Sequence, residues 1–139
     1  MTFDRAQLVA DLERDEGWKQ FPYIDTVGKI TAGVGRNLTD RGLSPDEIRY
    51  LLQNDIDLAV DDLNRGAPWW DTLDPVRQRV LVNMTFNLGW PKLRGFVRMF
   101  AAIRRGDYQA AAEAMRDSLW ARQVGARAER LARLMERGA

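Results

Sequence analysis

The sequence predicts an α+β fold, in which a small β-hairpin lobe is joined by a long helix to a larger, all-helical lobe. Three observations carry that prediction. Residues 14–35, RDEGWKQFPYIDTVGKITAGVG, change from a helical to a strand-like texture across Gly17 and Pro22. Residues 43–64, LSPDEIRYLLQNDIDLAVDDLN, combine a strong helix start with a long apolar stripe. After Gly66 every segment has helical spacing, and short turns carrying glycine separate the segments.

Taken in order, Leu8, Val9 and Leu12 lie at helical spacing within residues 4–16, and Gly17 follows as a C-cap. Aromatic and β-branched residues then flank Gly28, and Ile30, Ala32 and Val34 alternate with Thr31 and Gly33. This pattern predicts a hairpin with its tip near Gly28. Ser44 as N-cap, Pro45 at N1 and Glu47 closing an S-x-x-E box start the long helix, and its stripe runs from Ile48 to Leu63. Helices are expected over 74–88, 93–104, 107–122 and 125–137, separated by GWPK, RGD and VGA. The whole chain, 1–139, reads as one domain. Its helix 4–16 belongs with a C-terminal lobe over about 66–139, its β-containing lobe covers about 17–43, and its connecting helix about 45–64.

Composition narrows the chemistry. The chain has no cysteine, so no thiolate zinc site and no dependence on an oxidising compartment. It has no histidine either, which removes the commonest general base and metal ligand. Proton transfer is left to carboxylates, hydroxyls and water, and neither a cofactor nor a metal is expected. No apolar run is long enough to span a bilayer, and the acidic start MTFDRAQLVADLERDEG is unlike an export signal. Charge is unevenly distributed: residues 1–91 hold 10 basic and 15 acidic side chains, a net of −5, and residues 92–139 hold 11 and 5, a net of +6. Solvated arginine-rich helices account for this, as does approach to a polyanionic bacterial envelope; nucleic acid is not expected, because no recognised motif accompanies the charge.

One ordered set of acidic and hydroxyl side chains has the makings of a site: Glu16, Asp25 and Thr31. Glu16 falls at a helix C-terminus, where the macrodipole disfavours negative charge, and partial burial beneath Trp18 or Tyr23 would act in the same direction. A carboxyl kept protonated can donate to a leaving-group oxygen. With the tip at Gly28, Asp25 and Thr31 become cross-strand partners, an ionised carboxylate beside a hydroxyl. Two carboxyls in unlike environments plus a hydroxyl that positions water suit hydrolysis of a glycosidic bond. A solvated helix-end glutamate and ordinary Asp-Thr turn chemistry explain the same residues without catalysis.

The residues Asp15-Glu16-Gly17, Tyr23, Asp25-Thr26, Gly28, Thr31, Gly33 and Gly35 form the pattern DEG followed by YxDTxGxxTxGxG, with eight residues between Glu16 and Asp25 and five between Asp25 and Thr31. This resembles the phage-type lysozymes, the muramidase family of the T-even bacteriophage lysozyme. NDIDLAVDDL resembles that family's inter-lobe helix, LDPVRQRVLVNMTFNLG its buried C-terminal helix, and SLWARQVGARAERL its Trp-then-Arg segment. The resemblance covers most of the chain in order, with a shorter connection before the long helix and a shorter C-terminal tail.

The resemblance implies a lysozyme-like fold and an inverting glycoside hydrolase that cuts the β-1,4 bond between N-acetylmuramic acid and N-acetylglucosamine. Glu16 would be the general acid, Asp25 would activate or orient water, and Thr31 would hold it, with the carboxyls roughly 6.5–9.5 Å apart. Tyr23, Phe86, Asn87 and Arg127 would bind substrate, Arg127 also pairing with Glu16, while Asp15 and Asn83 would support the acid. As structural residues, Phe86 and most of the tryptophans (18, 69, 70, 90 and 120) belong to the core, Arg127 to solvent, and Gly33 and Gly35 to close backbone packing. After GVG the family usually has a histidine; Arg36 stands there, and a pair with Asp55 on the long helix is expected. The role implied is a monomeric, bacteriolytic endolysin of a phage or prophage, held in the host cytoplasm until a holin opens the way to the wall, with peptidoglycan strands as its partner. Alternatives are a muramidase-like binding module without turnover, a lytic transglycosylase, or a basic helix that disrupts membranes.

Overall fold

The first helix, α1 (Arg5–Glu16), starts where Asp4 accepts the backbone N–H of Gln7 at 3.0 Å and stops where Gly17 turns to φ +82°. The computed structural model describes residues 2–138. After α1 come β1 (Lys19–Ile24), β2 (Ile30–Gly33) and β3 (Arg36–Asn37), an antiparallel sheet in that order with β2 at its centre. The short α2 (Leu38–Arg41) follows, with Asn37 as its N-cap.

The hairpin differs from the expectation in register. Tyr23, not Asp25, pairs with Thr31, and Ile24 pairs with Ile30. Asp25 N–H donates to the Lys29 carbonyl at 2.9 Å and Gly28 N–H to the Asp25 carbonyl at 3.1 Å, so the tip is centred on Val27. The cause is the turn chemistry of Asp25-Thr26-Val27-Gly28. An aspartate whose carbonyl accepts the N–H three residues on, where a glycine stands at φ +82°, makes a three-residue loop. Further back, the ladder is irregular between Lys19 and Tyr23, the stretch in which Pro22 offers no N–H.

The long helix α3 (Pro45–Gly66) begins with the predicted capping box: Ser44 N–H donates to Glu47 Oε1 at 2.8 Å, and Glu47 N–H to Ser44 Oγ at 3.2 Å. The chain separates into two compact units within this helix, one ending at Tyr50 and one starting at Leu51.

In the second unit, a 3-10 turn (Pro68–Thr72) precedes α4 (Pro75–Leu88), α5 (Trp90–Leu93), α6 (Val97–Arg104), α7 (Tyr108–Arg116), α8 (Leu119–Val124) and α9 (Ala126–Arg137). One expected helix starts late and another is divided. Of residues 93–104 only Val97–Arg104 form the expected helix, because the expected separator GWPK itself carries α5 and the chain turns at Gly95 and Phe96. Residues 107–122 break at Ser118, which leaves the helix at ψ 155° and caps α8 by accepting Ala121 N–H at 3.1 Å. The core of this unit includes Leu63, Leu81, Met84, Leu93, Met99, Met115 and Met135, each fully buried and each contributing about 1.5–3 kcal/mol of apolar burial. Buried alanines at 111, 112, 128 and 132 let α7 lie along α9. Trp120 and Trp70 belong to this core, Trp69 and Trp90 pack against it, and Trp18 is exposed.

Candidate functional site

Glu16 is the last residue of α1, and its side chain is exposed rather than tucked beneath an aromatic ring. Its carboxyl lies over Gly35. A Cβ placed on Gly35 would come within 2.7 Å of Glu16 Oε2 and 2.8 Å of its Cδ, and Gly35 has φ +67°. Glycine suits the backbone angle there, and it leaves the space that the flexible Glu16 carboxyl fills. Asp15 is bound to Arg14 at 3.2 Å.

Asp25 sits at the opposite end of β2. Its Oδ1 accepts two backbone bonds, from Val27 N–H at 2.9 Å and Lys29 N–H at 2.8 Å. Thr31 lies between the two ends. It is the buried polar residue of the sheet, 4% exposed, and pairs with Tyr23 on one side and Asn37 on the other. Its hydroxyl donates to the Lys29 carbonyl at 3.3 Å. Because Asp25 faces Lys29 across the turn and Thr31 is two residues beyond Lys29, strand alternation puts Tyr23, Asp25 and Thr31 on one face.

Four other predicted residues lie in the second unit. Asn83 Oδ1 accepts Arg127 Nε at 3.1 Å and Nη2 at 2.8 Å. Phe86 is 43% exposed, so it is not a core side chain, and it shares a groove of about 290 Å³ with Asn83 and Arg127. Asn87 Oδ1 accepts the buried Trp120 indole N–H at 2.7 Å. Arg127 is therefore held by an amide, and Asn87 is oriented by a core tryptophan.

A model of the phage lysozyme family matches residues 13–139. The chain belongs to the phage lysozyme family. Among curated proteins it is 29% identical to the pre-baseplate central spike protein Gp5 of Enterobacteria phage T4, over 91% of this chain and 27% of that protein. It is 24% identical to the probable T4-type lysozymes 2 and 1 of Dictyostelium discoideum, each over 91% of this chain and 92% of the relative. The chain thus spans about a quarter of the spike protein and nearly the whole of the two slime-mould proteins. Phage lysozyme membership supports a muramidase-like glycosidase function with peptidoglycan as the substrate class.

In this chain Arg36 departs from the expected pairing. Its Nη1 meets Glu47 at 2.7 Å and donates to the Gly42 carbonyl at 3.3 Å, so Glu47 takes the place expected of Asp55. The capping box explains the exchange: Glu47 is already turned toward Ser44 N–H, and its second oxygen faces β3. The bond from Arg36, and then those from Ser44, hold the Glu47 carboxyl down at about 2, and the same bond raises the Arg36 guanidinium. The signal for this pair was present in S-x-x-E; the part Gly35 plays beside Glu16 had no sequence signal beyond glycine itself.

Proposed function

We propose that this chain is a peptidoglycan muramidase that hydrolyses the β-1,4 bond between N-acetylmuramic acid and N-acetylglucosamine with inversion. Glu16 donates its proton to the glycosidic oxygen, Asp25 activates or orients the attacking water, and the Thr31 hydroxyl holds that water. Tyr23, Phe86, Asn87 and Arg127 contact the glycan.

The observation that carries this reading is the arrangement about β2. One carboxyl stands at its Gly35 end and the other at its Lys29 end, with the Thr31 hydroxyl between. Four strand steps lead from Lys29 to Gly33, about 13 Å of backbone. Carboxyls that approach from opposite ends suit an inverting pair, which needs roughly 6.5–9.5 Å between them to admit a water, rather than a retaining pair at about 5–5.5 Å. Asp25 Oδ1 is spent on two amides, which fixes the carboxylate and leaves Oδ2 for water.

We further propose an endolysin role, with release from the host cytoplasm through a separate membrane lesion. Digestion of purified peptidoglycan by the wild type beside Glu16→Gln tests the chemistry. Soluble fragments with reducing ends from the wild type alone are expected. Anhydro-muramic ends would make it a lytic transglycosylase, and equal release by both proteins would remove Glu16 from the mechanism.

A further inference from the structure

We propose a second saccharide site in the unit that starts at Leu51, a groove that takes the carboxylate-bearing glycan of peptidoglycan. The inference rests on the reading that peptidoglycan is the substrate, and it uses none of the residues assigned to catalysis.

The groove lies between the end of α3 and α6 and encloses about 360 Å³. That is within the range of small-ligand sites. Trp69, Trp90 and Phe100 line it. Trp69 meets Phe100 edge-on with centroids 5.8 Å apart, and Trp90 meets it at 57° and 6.0 Å. Part of the floor is Gly66, the last residue of α3. A Cβ there would overlap the Trp90 indole, so glycine lets the ring lie directly on the backbone and fixes its plane.

Two arginines border this aromatic surface. Arg104 lies 5.7 Å from the Trp69 centroid, and Arg94 lines the same groove; both are exposed. Among the described residues, neither has a carboxylate partner, whereas Arg77, Arg98, Arg105 and Arg116 each have one. Flat rings with cationic hydrogen-bond forks at the rim match a pyranose, whose axial C–H face lies on an indole, carrying a carboxylate that a guanidinium grips in bidentate fashion. Peptidoglycan offers both groups at each muramic acid and its peptide stem. An anionic membrane would satisfy the arginines, but it calls for apolar side chains that protrude, and here the aromatic rings form a concave wall.

The test uses the full chain with Glu16→Gln, so that the polymer survives. Co-sedimentation with insoluble peptidoglycan is compared for this protein and for the same protein with Arg94→Glu and Arg104→Glu; Trp69→Ala is a second probe, with Tm measured for each. Loss of the two guanidinium groups is expected to weaken binding about tenfold with Tm unchanged. If Trp69→Ala lowers Tm, Arg94→Gln with Arg104→Gln serves in its place. In the Glu16-intact protein, Arg94→Glu with Arg104→Glu should slow digestion of whole sacculi and leave cleavage of short soluble glycan unchanged. Unaltered binding in the arginine variants overturns the proposal. So does a loss of binding confined to phosphatidylglycerol vesicles, which would make the groove a membrane contact. Failure of the wild type to cleave either substrate would instead sink the muramidase reading and leave the binding result standing.

Discussion

The Glu16 carboxyl occupies the space that a Cβ on residue 35 would claim, with Oε2 2.7 Å from that position. Gly35→Ala is therefore expected to swing the acid aside. A displacement of about 1 Å costs catalysis on the order of 10²-fold. The φ of +67° adds a stability cost of about 1 kcal/mol for alanine. Steady-state kinetics on soluble glycan should show the loss in kcat with KM nearly constant. An unchanged kcat would mean that the position of Glu16 at this turn does not matter to the reaction.

Arg77 fastens the end of α9. Its Nε and Nη2 donate to the carbonyls of Met135 and Glu136 at 2.6 and 2.8 Å, its Nη1 meets Asp74 at 2.9 Å, and its Cζ lies 3.4 Å from the Tyr108 ring centroid. Arg77→Ala should cost about 2–3 kcal/mol in chemical denaturation. Arg77→Lys should recover little of that, because one ammonium cannot reproduce a planar fork that serves three acceptors.

Gly66→Ala should destabilise the second unit by about 1–3 kcal/mol, since the added methyl collides with the Trp90 indole against the backbone. Thermal melts would register the loss. Catalysis on short soluble glycan at low temperature should stay at the wild-type level.

Stability should depend on acidity only on the acid side. The Arg116 guanidinium, hydrogen-bonded to Glu136 and Glu129, holds both carboxyls below their ordinary value of 4.5, and Glu47 is held at about 2. Carboxylates depressed in the folded state bind fewer protons than the unfolded chain. Their contribution is therefore complete above pH 4.5 and is lost as pH falls toward 2. With no histidine, the melting temperature should be flat from pH 6 to 8. A sigmoidal change in that interval would show that a group with a displaced pKa governs folding.

Much of this architecture could be read from the chain because its signals are local. Ser44, Pro45 and Glu47 start α3 by bonds within one turn, and Gly17 ends α1 by its own backbone angle. The hairpin register differs from the expected one by two residues, Thr31 pairing with Tyr23 rather than Asp25, because Gly28 is not the tip but closes the loop behind Val27. The split at Ser118 was hidden for a related reason. Serine is tolerable within a helix and excellent before one, and only packing decides between the two. Glu16, Asp25 and Thr31 were recognisable as a pattern of residues. The partners of Arg36 and Asn83 depended on which side chains folding brings near, and linear spacing carries no record of that.

On the proposed mechanism Asp25 has two duties on two atoms. One oxygen is sewn into the loop by a pair of amides, and the other would serve the reactant. Scaffold and reagent would then be carried by a single side chain, and substitution can pull them apart. An asparagine keeps an acceptor for the stitching while discarding the negative charge, whereas an alanine unravels the bend as well. Comparing the two replacements would tell a lost reagent from a lost shape without touching any other position.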